Sequence, residues 1–214
     1  MTPPVDQALA QLQARADPDR AAVMAAQHRA TRRYLGLPGP AIAALVEDWR
    51  DGATVADRLQ LAAALWDSDV HEARVAATKL VTQARIRPDA AVWDLICRWV
   101  PQVDGLALAD LVATAGQKRL VADPVRLDLV ATWVRDPRPW TRRMALAMTL
   151  PWAKMAFPKP ADLAVRDRVL GWAADLAADP DRLVQRAVAG WLQDLSRHDA
   201  DRARAWHAVR GDRP

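Results

Sequence analysis

Apolar residues recur at three- and four-residue spacing along almost the whole chain, and Pro, Asp or Gly breaks the pattern roughly every 12 to 18 residues. That interval is the length of a short amphipathic helix, so the sequence predicts about a dozen helices and no sheet. The clearest helix starts carry Pro or Asp at or near the first turn, at Pro38, Asp69, Pro88, Asp104, Pro124, Pro137, Pro160 and Pro180. Short connections between such helices make neighbours antiparallel. Composition points the same way: 51% of residues are hydrophobic, with Ala and Leu dominant, against 8 Gly, 1 Phe and 1 Tyr, so helix formers abound and strand formers are scarce. At 214 residues the chain is long enough for one domain or one continuous solenoid without a disulfide or metal staple.

Three segments are variants of one theme: Asp69-Val-His-Glu-Ala-Arg74, Arg138-Pro-Trp-Thr-Arg-Arg143 and Asp181-Arg-Leu-Val-Gln-Arg186. Each opens at a turn and sets an arginine five residues on, ahead of small apolar residues. With a helix near Asp110 between the first two, the steps are roughly 36, 33 and 43 residues, in the range of HEAT-type helical repeats. The expected fold is therefore all-α, a solenoid of stacked antiparallel helix pairs in which each Ala-rich pair buries its apolar face on the next. One domain over 1–214 is expected, with 1–17 and 211–214 as loose termini and Phe157-Pro-Lys-Pro160 as a long turn.

One cysteine, Cys97, rules out an intrachain disulfide and a Cys-rich zinc site, and reads as a small core residue. His28, His71, His198 and His207 lie on separate predicted helices without ligand spacing, and no phosphate loop, nucleophile elbow or Cys/His pair occurs. Most enzyme classes fall away, and no metal or cofactor is expected. The start of the chain has neither a basic n-region nor an apolar h-region, and no window is long and apolar enough to span a bilayer, so a cytoplasmic monomer is expected.

Net charge is +4 with a pI near 9.8, and its distribution is uneven. Four arginines and no acid lie between Arg20 and Val46, and six basic residues face Asp136 alone between Arg135 and Lys159. Among the 10 tryptophans, Trp66, Trp93, Trp133 and Trp172 read as core. Trp140 stands apart, with Arg138, Arg142 and Arg143 around it near a helix start, where backbone amides and guanidinium groups suit a phosphate as well as a solvated surface. Asp110 falls among apolar neighbours beyond a first turn, either as a buried partner for a repeat arginine or as a group reserved for chemistry. Asp104 reads as an N-cap.

In order along the chain, Tyr34-Leu-Gly-Leu-Pro-Gly-Pro, Leu65-Trp-Asp-Ser-Asp-Val-His-Glu-Ala-Arg74, Val103 to Asp110, Trp140-Thr-Arg-Arg143-Met-Ala and Val184-Gln-Arg-Ala-Val-Ala-Gly-Trp191-Leu resemble the motifs of the AlkD-like DNA glycosylases, the HEAT-like DNA alkylation repair proteins. The likeness runs in register from about Met24 to Leu195. It implies excision of N3- or N7-alkylated purines from double-stranded DNA with the base kept in the helix, a departure from the usual flipping. It also implies Asp110 as the catalytic carboxylate and Arg143 as the phosphate-binding arginine, while Arg138, Trp140 and Arg142, from the basic segment around it, and Trp191 are expected as further DNA contacts. The family flanks its aspartate with two tryptophans that contact the deoxyribose. Here Leu106 takes the first position and Gly190 the second, with Trp191 one residue off and so rotated about 100° around a helix. Catalysis with altered sugar contacts and a noncatalytic DNA-binding relative both follow from that pattern, and a protein-interaction scaffold is the third reading.

Overall fold

Proline and aspartate start the helices much where the spacing predicts. In the computed structural model, which describes residues 2–28 and 30–210 with the Arg210 side chain left aside, Pro38, Asp89, Arg138, Lys159 and Asp181 cap or precede helices beside the expected prolines. The described residues contain no strand, only one isolated bridge between Arg33 and Val70. The chain divides into two compact units, 1–119 and 120–214.

Unit 1 contains α1 (Val5–Gln13), α2 (Pro18–His28), α3 (Gly39–Arg50), α4 (Val55–Asp67), α5 (His71–Val81), α6 (Ala90–Trp99) and most of α7 (Leu106–Ala122). Helix α5 is its axis, packed against α1, α3 and α4, and every residue of it but Lys79 is buried. A helix buried all round has to satisfy any polar side chain it carries. Glu72, 0% exposed, accepts hydrogen bonds from the backbone N–H groups of Leu35 and Gly36 at 2.9 and 2.8 Å. Arg74 donates to the Trp66 carbonyl at 3.0 Å, pairs with Asp69 at 3.0 Å and lies over the Trp66 ring. Gly36 has φ +82, and a Cβ there would stand 2.2 Å from the Asp17 carbonyl oxygen, so the Leu-Gly-Leu-Pro turn admits only glycine. Near the start of the chain α1 buries Ala8 and Leu12, because the apolar spacing already begins there. The expected loose end at 211–214 lies outside the described residues.

Unit 2 contains α8 (Leu127–Trp133), α9 (Pro139–Met148), α10 (Leu150–Lys154), α11 (Pro160–Leu176), α12 (Arg182–His198) and α13 (Ala200–Arg210). Here α12 is the hub, in contact with α9, α10, α11 and α13. Arg166, 1% exposed, ties α11 to its surroundings by donating to the Trp152 carbonyl at 2.7 Å and to the Met155 carbonyl, and by pairing with Asp199 at 3.0 Å. The loop at Phe157 is the expected long turn and leaves that ring almost wholly exposed.

The expected core tryptophans, Trp66, Trp93, Trp133 and Trp172, are all buried, as are Trp49, Trp99, Trp152 and Trp191. Trp66 and Trp99 stack at 4.5 Å between centroids. Cys97 is only half-buried, because it lies beside the buried stripe of α6 formed by Val92, Trp93, Leu95, Ile96 and Trp99. The arginine theme does not give one structural role: Arg74 is buried, Arg143 half-buried and Arg186 exposed.

Candidate functional site

Helix α7 buries Leu108, Ala109, Val112, Ala113 and Ala115 and turns Leu106, Asp110 and Thr114 to solvent. Those three residues are spaced by four, so they form one stripe along the helix. Asp110 is thus an exposed residue in the second turn of the helix. The Thr114 hydroxyl donates to the Asp110 backbone carbonyl at 2.8 Å. Leu106, one turn earlier, is 54% exposed and gives the stripe an apolar end.

Beside this face lies a cavity of about 340 Å³, floored by Ala43 and Val46 of α3 and by Leu111 and Thr114 of α7. Arg50 of α3 and Lys79 of α5 line it together with Glu47. Sequence reasoning missed these two cations, since Arg50 is the single basic residue of α3 and Lys79 follows the more conspicuous Arg74 on α5. The full burial of α5 around Lys79 is the feature that marks it.

Asp104 does not cap α7, which begins at Leu106. Its carboxylate instead takes an ion pair from Arg32, whose side chain is 3% exposed and which also lies 3.9 Å from Asp69. Asp69 adopts φ +53, a left-handed conformation that Asp tolerates better than most residues, and so reaches both Arg32 and Arg74. Next to this network the rings of His28, Tyr34 and His71 cluster, with centroids 4.8 to 5.5 Å apart. Burial, followed by the charges of His28, Arg32 and Arg74, pulls the His71 pKa down from 6.5 to about 4.

In unit 2 the start of α9 gathers the other expected contacts. Arg138 is exposed and pairs with Asp136 at 3.1 Å, while Trp140 and Arg143 are half-buried. Arg142 forks onto both carboxylate oxygens of Asp179, at 2.6 and 2.9 Å, and donates to the Asp136 and Pro137 carbonyls. This arginine braces the turn before α9 to the one before α12, and the hydrogen bonds it donates hold the Asp179 carboxyl below its ordinary pKa. Trp191 is 1% exposed and belongs to the α12 core, where its ring offers no face to a ligand. The offset of about 100° from Gly190 has that outcome. A Cβ at position 190 would meet nothing within 4 Å, whereas position 191 faces inward.

The fold defines an all-α protein of helices packed on their neighbours in chain order, with an exposed carboxylate on one helix and arginines at the start of another. Over residues 8–213 the chain matches the model of the DNA alkylation repair enzyme family, and it belongs to that family. Its substrate class is accordingly DNA. No curated protein matches the chain. Among the described residues no helix is long and apolar enough to cross a membrane.

Proposed function

We propose that the chain is a DNA glycosylase that removes N3- or N7-alkylated purines from double-stranded DNA by hydrolysis of the N-glycosidic bond, without base flipping. The observation that carries this reading is Asp110, a carboxylate turned to solvent in the second turn of α7 of a DNA alkylation repair protein. An alkylated purine of this kind is already cationic and a good leaving group. The protein therefore has only to stabilise positive charge as it develops on the sugar and to orient a water, which one carboxylate does electrostatically. Asp110 takes both roles. Leu106, on the same stripe, packs its exposed side chain against the deoxyribose, and Arg143 holds a backbone phosphate.

Release of 7-methylguanine or 3-methyladenine from alkylated duplex tests the reading. Asp110→Asn is expected to slow release by about two orders of magnitude or more. No release by the unaltered protein at high concentration would overturn it.

The burial of Trp191 favours a second reading, a noncatalytic protein that binds distorted DNA through backbone contacts. It predicts salt-sensitive duplex binding that survives Asp110→Asn and weakens on Arg143→Ala.

A further inference from the structure

Away from the α7 stripe, unit 1 has a second basic concavity of about 570 Å³, where the start of α4 meets the segment joining α5 to α6. Three arginines line it, Arg58 from α4 and Arg85 and Arg87 from the joining segment, together with Val55 and Gln83. Among the described residues no carboxylate is in the lining. Of the acids nearby in sequence, one caps a helix and the other bridges a lining arginine to a buried one. Asp57 caps α4 by accepting from the Thr54 N–H at 3.1 Å and hydroxyl at 2.7 Å, and Asp89 pairs with buried Arg119 at 3.4 Å and with Arg87 at 3.5 Å.

Arg58 is held in place before any ligand arrives. It donates to the Gln83 side-chain oxygen at 2.6 Å and to the Ala53 carbonyl at 3.0 Å, while its Nε–H is buried without an acceptor. Arg85 and Arg87 are exposed, and among the described residues Arg85 has no ion-pair partner. Glu47, Asp48 and Asp51 line, with Arg50, a neighbouring concavity to which Arg58 and Gln83 also belong.

Three guanidinium groups exceed what a single carboxylate needs. They match a phosphoryl group, whose several oxygens accept paired N–H bonds from more than one arginine fork. The cavity also has room for more than a bare ion. We infer that this concavity, between Arg58, Arg85 and Arg87, is a phosphate-binding site separate from the Asp110 face, taking either a nucleic-acid backbone phosphate or a free phosphate. The inference does not depend on glycosylase activity, because its readout is binding and not base release.

The test compares the unaltered chain with Arg85→Glu and with the double variant Arg85→Ala/Arg87→Ala. Both change exposed side chains, and thermal melting verifies that they fold. Inorganic phosphate is titrated by calorimetry, and an unmodified duplex by fluorescence anisotropy across a salt series. Arg85→Glu is expected to weaken phosphate binding about tenfold or more. If the backbone is the source, the double variant lowers the slope of log affinity against log salt by about 1 to 2 as well. Weakened phosphate binding with an unchanged duplex slope assigns the site to a free phosphate. A lowered slope without measurable phosphate binding assigns it to nucleic acid. Folded variants that alter neither titration overturn the inference, whatever the result of the base-release assay.

Discussion

Glu72 and Asp110 are both carboxylates set in apolar stretches of helix, and their surroundings are opposite. Glu72 sits inside unit 1, wholly buried, with two backbone N–H groups aimed at it. Asp110 stands on the outer stripe of α7 between Leu106 and Thr114. A buried carboxylate that organises backbone is an element of folding, and removing it exposes donors that nothing else can satisfy. A carboxylate on an exposed stripe costs the fold little to keep. Arg142, forked onto Asp179, serves the fold of unit 2 as Glu72 serves that of unit 1.

The contrast is widest at its two poles. Asp110→Asn should cut base release by about two orders of magnitude or more with little change in melting temperature. Glu72→Ala should leave two buried N–H groups unsatisfied and lower stability by about 3 kcal/mol, measured by urea unfolding. Should Asp110→Asn unfold the protein, or Glu72→Ala leave its stability intact, the comparison breaks.

Acid sharpens it next. His71 is neutral in the folded protein down to about pH 4 but titrates near 6.5 when unfolded, so the unfolded chain binds more protons between those values. Its contribution is fully present above about pH 6.5 and is lost as pH falls toward 4, on the order of 3 kcal/mol in all. His71→Phe, which keeps a ring against Tyr34, should flatten that part of the stability profile.

Smaller effects distinguish two neighbouring arginines. Arg142→Ala should lower stability by about 2 kcal/mol by leaving the Asp179 carboxylate without its fork, with the loss read in the same unfolding series. Arg143→Ala should cost less stability and weaken duplex binding severalfold. The smallest change expected is a gain: Leu106→Trp enlarges the apolar end of the stripe and should raise base release a few-fold at unchanged stability.

The helices were legible in the sequence because their signal is local. Spacing by three and four, with Pro or Asp at the starts, depends on nothing outside the helix, and so the prolines from Pro38 to Pro180 mark real starts. Core tryptophans were legible for the same reason. Partners were not, since they come from distant segments. Asp104 looks like a cap until Arg32 arrives from another part of the chain, and Arg142 looks like a phosphate ligand until Asp179 meets it. Trp191 illustrates the sharpest limit, because one residue of offset on a helix decides between a surface and a core. Leu106 and Asp110, by contrast, could be paired from the sequence, being one turn apart on the same helix.

The burial of most of the indoles has a practical consequence for anyone watching this protein by light. With Trp66, Trp99, Trp152 and Trp191 sealed away from water, intrinsic emission is dominated by groups that respond to loss of packing and not to arrival of a ligand. Tryptophan fluorescence is therefore a gauge of folding here, and a DNA titration needs its label on the DNA.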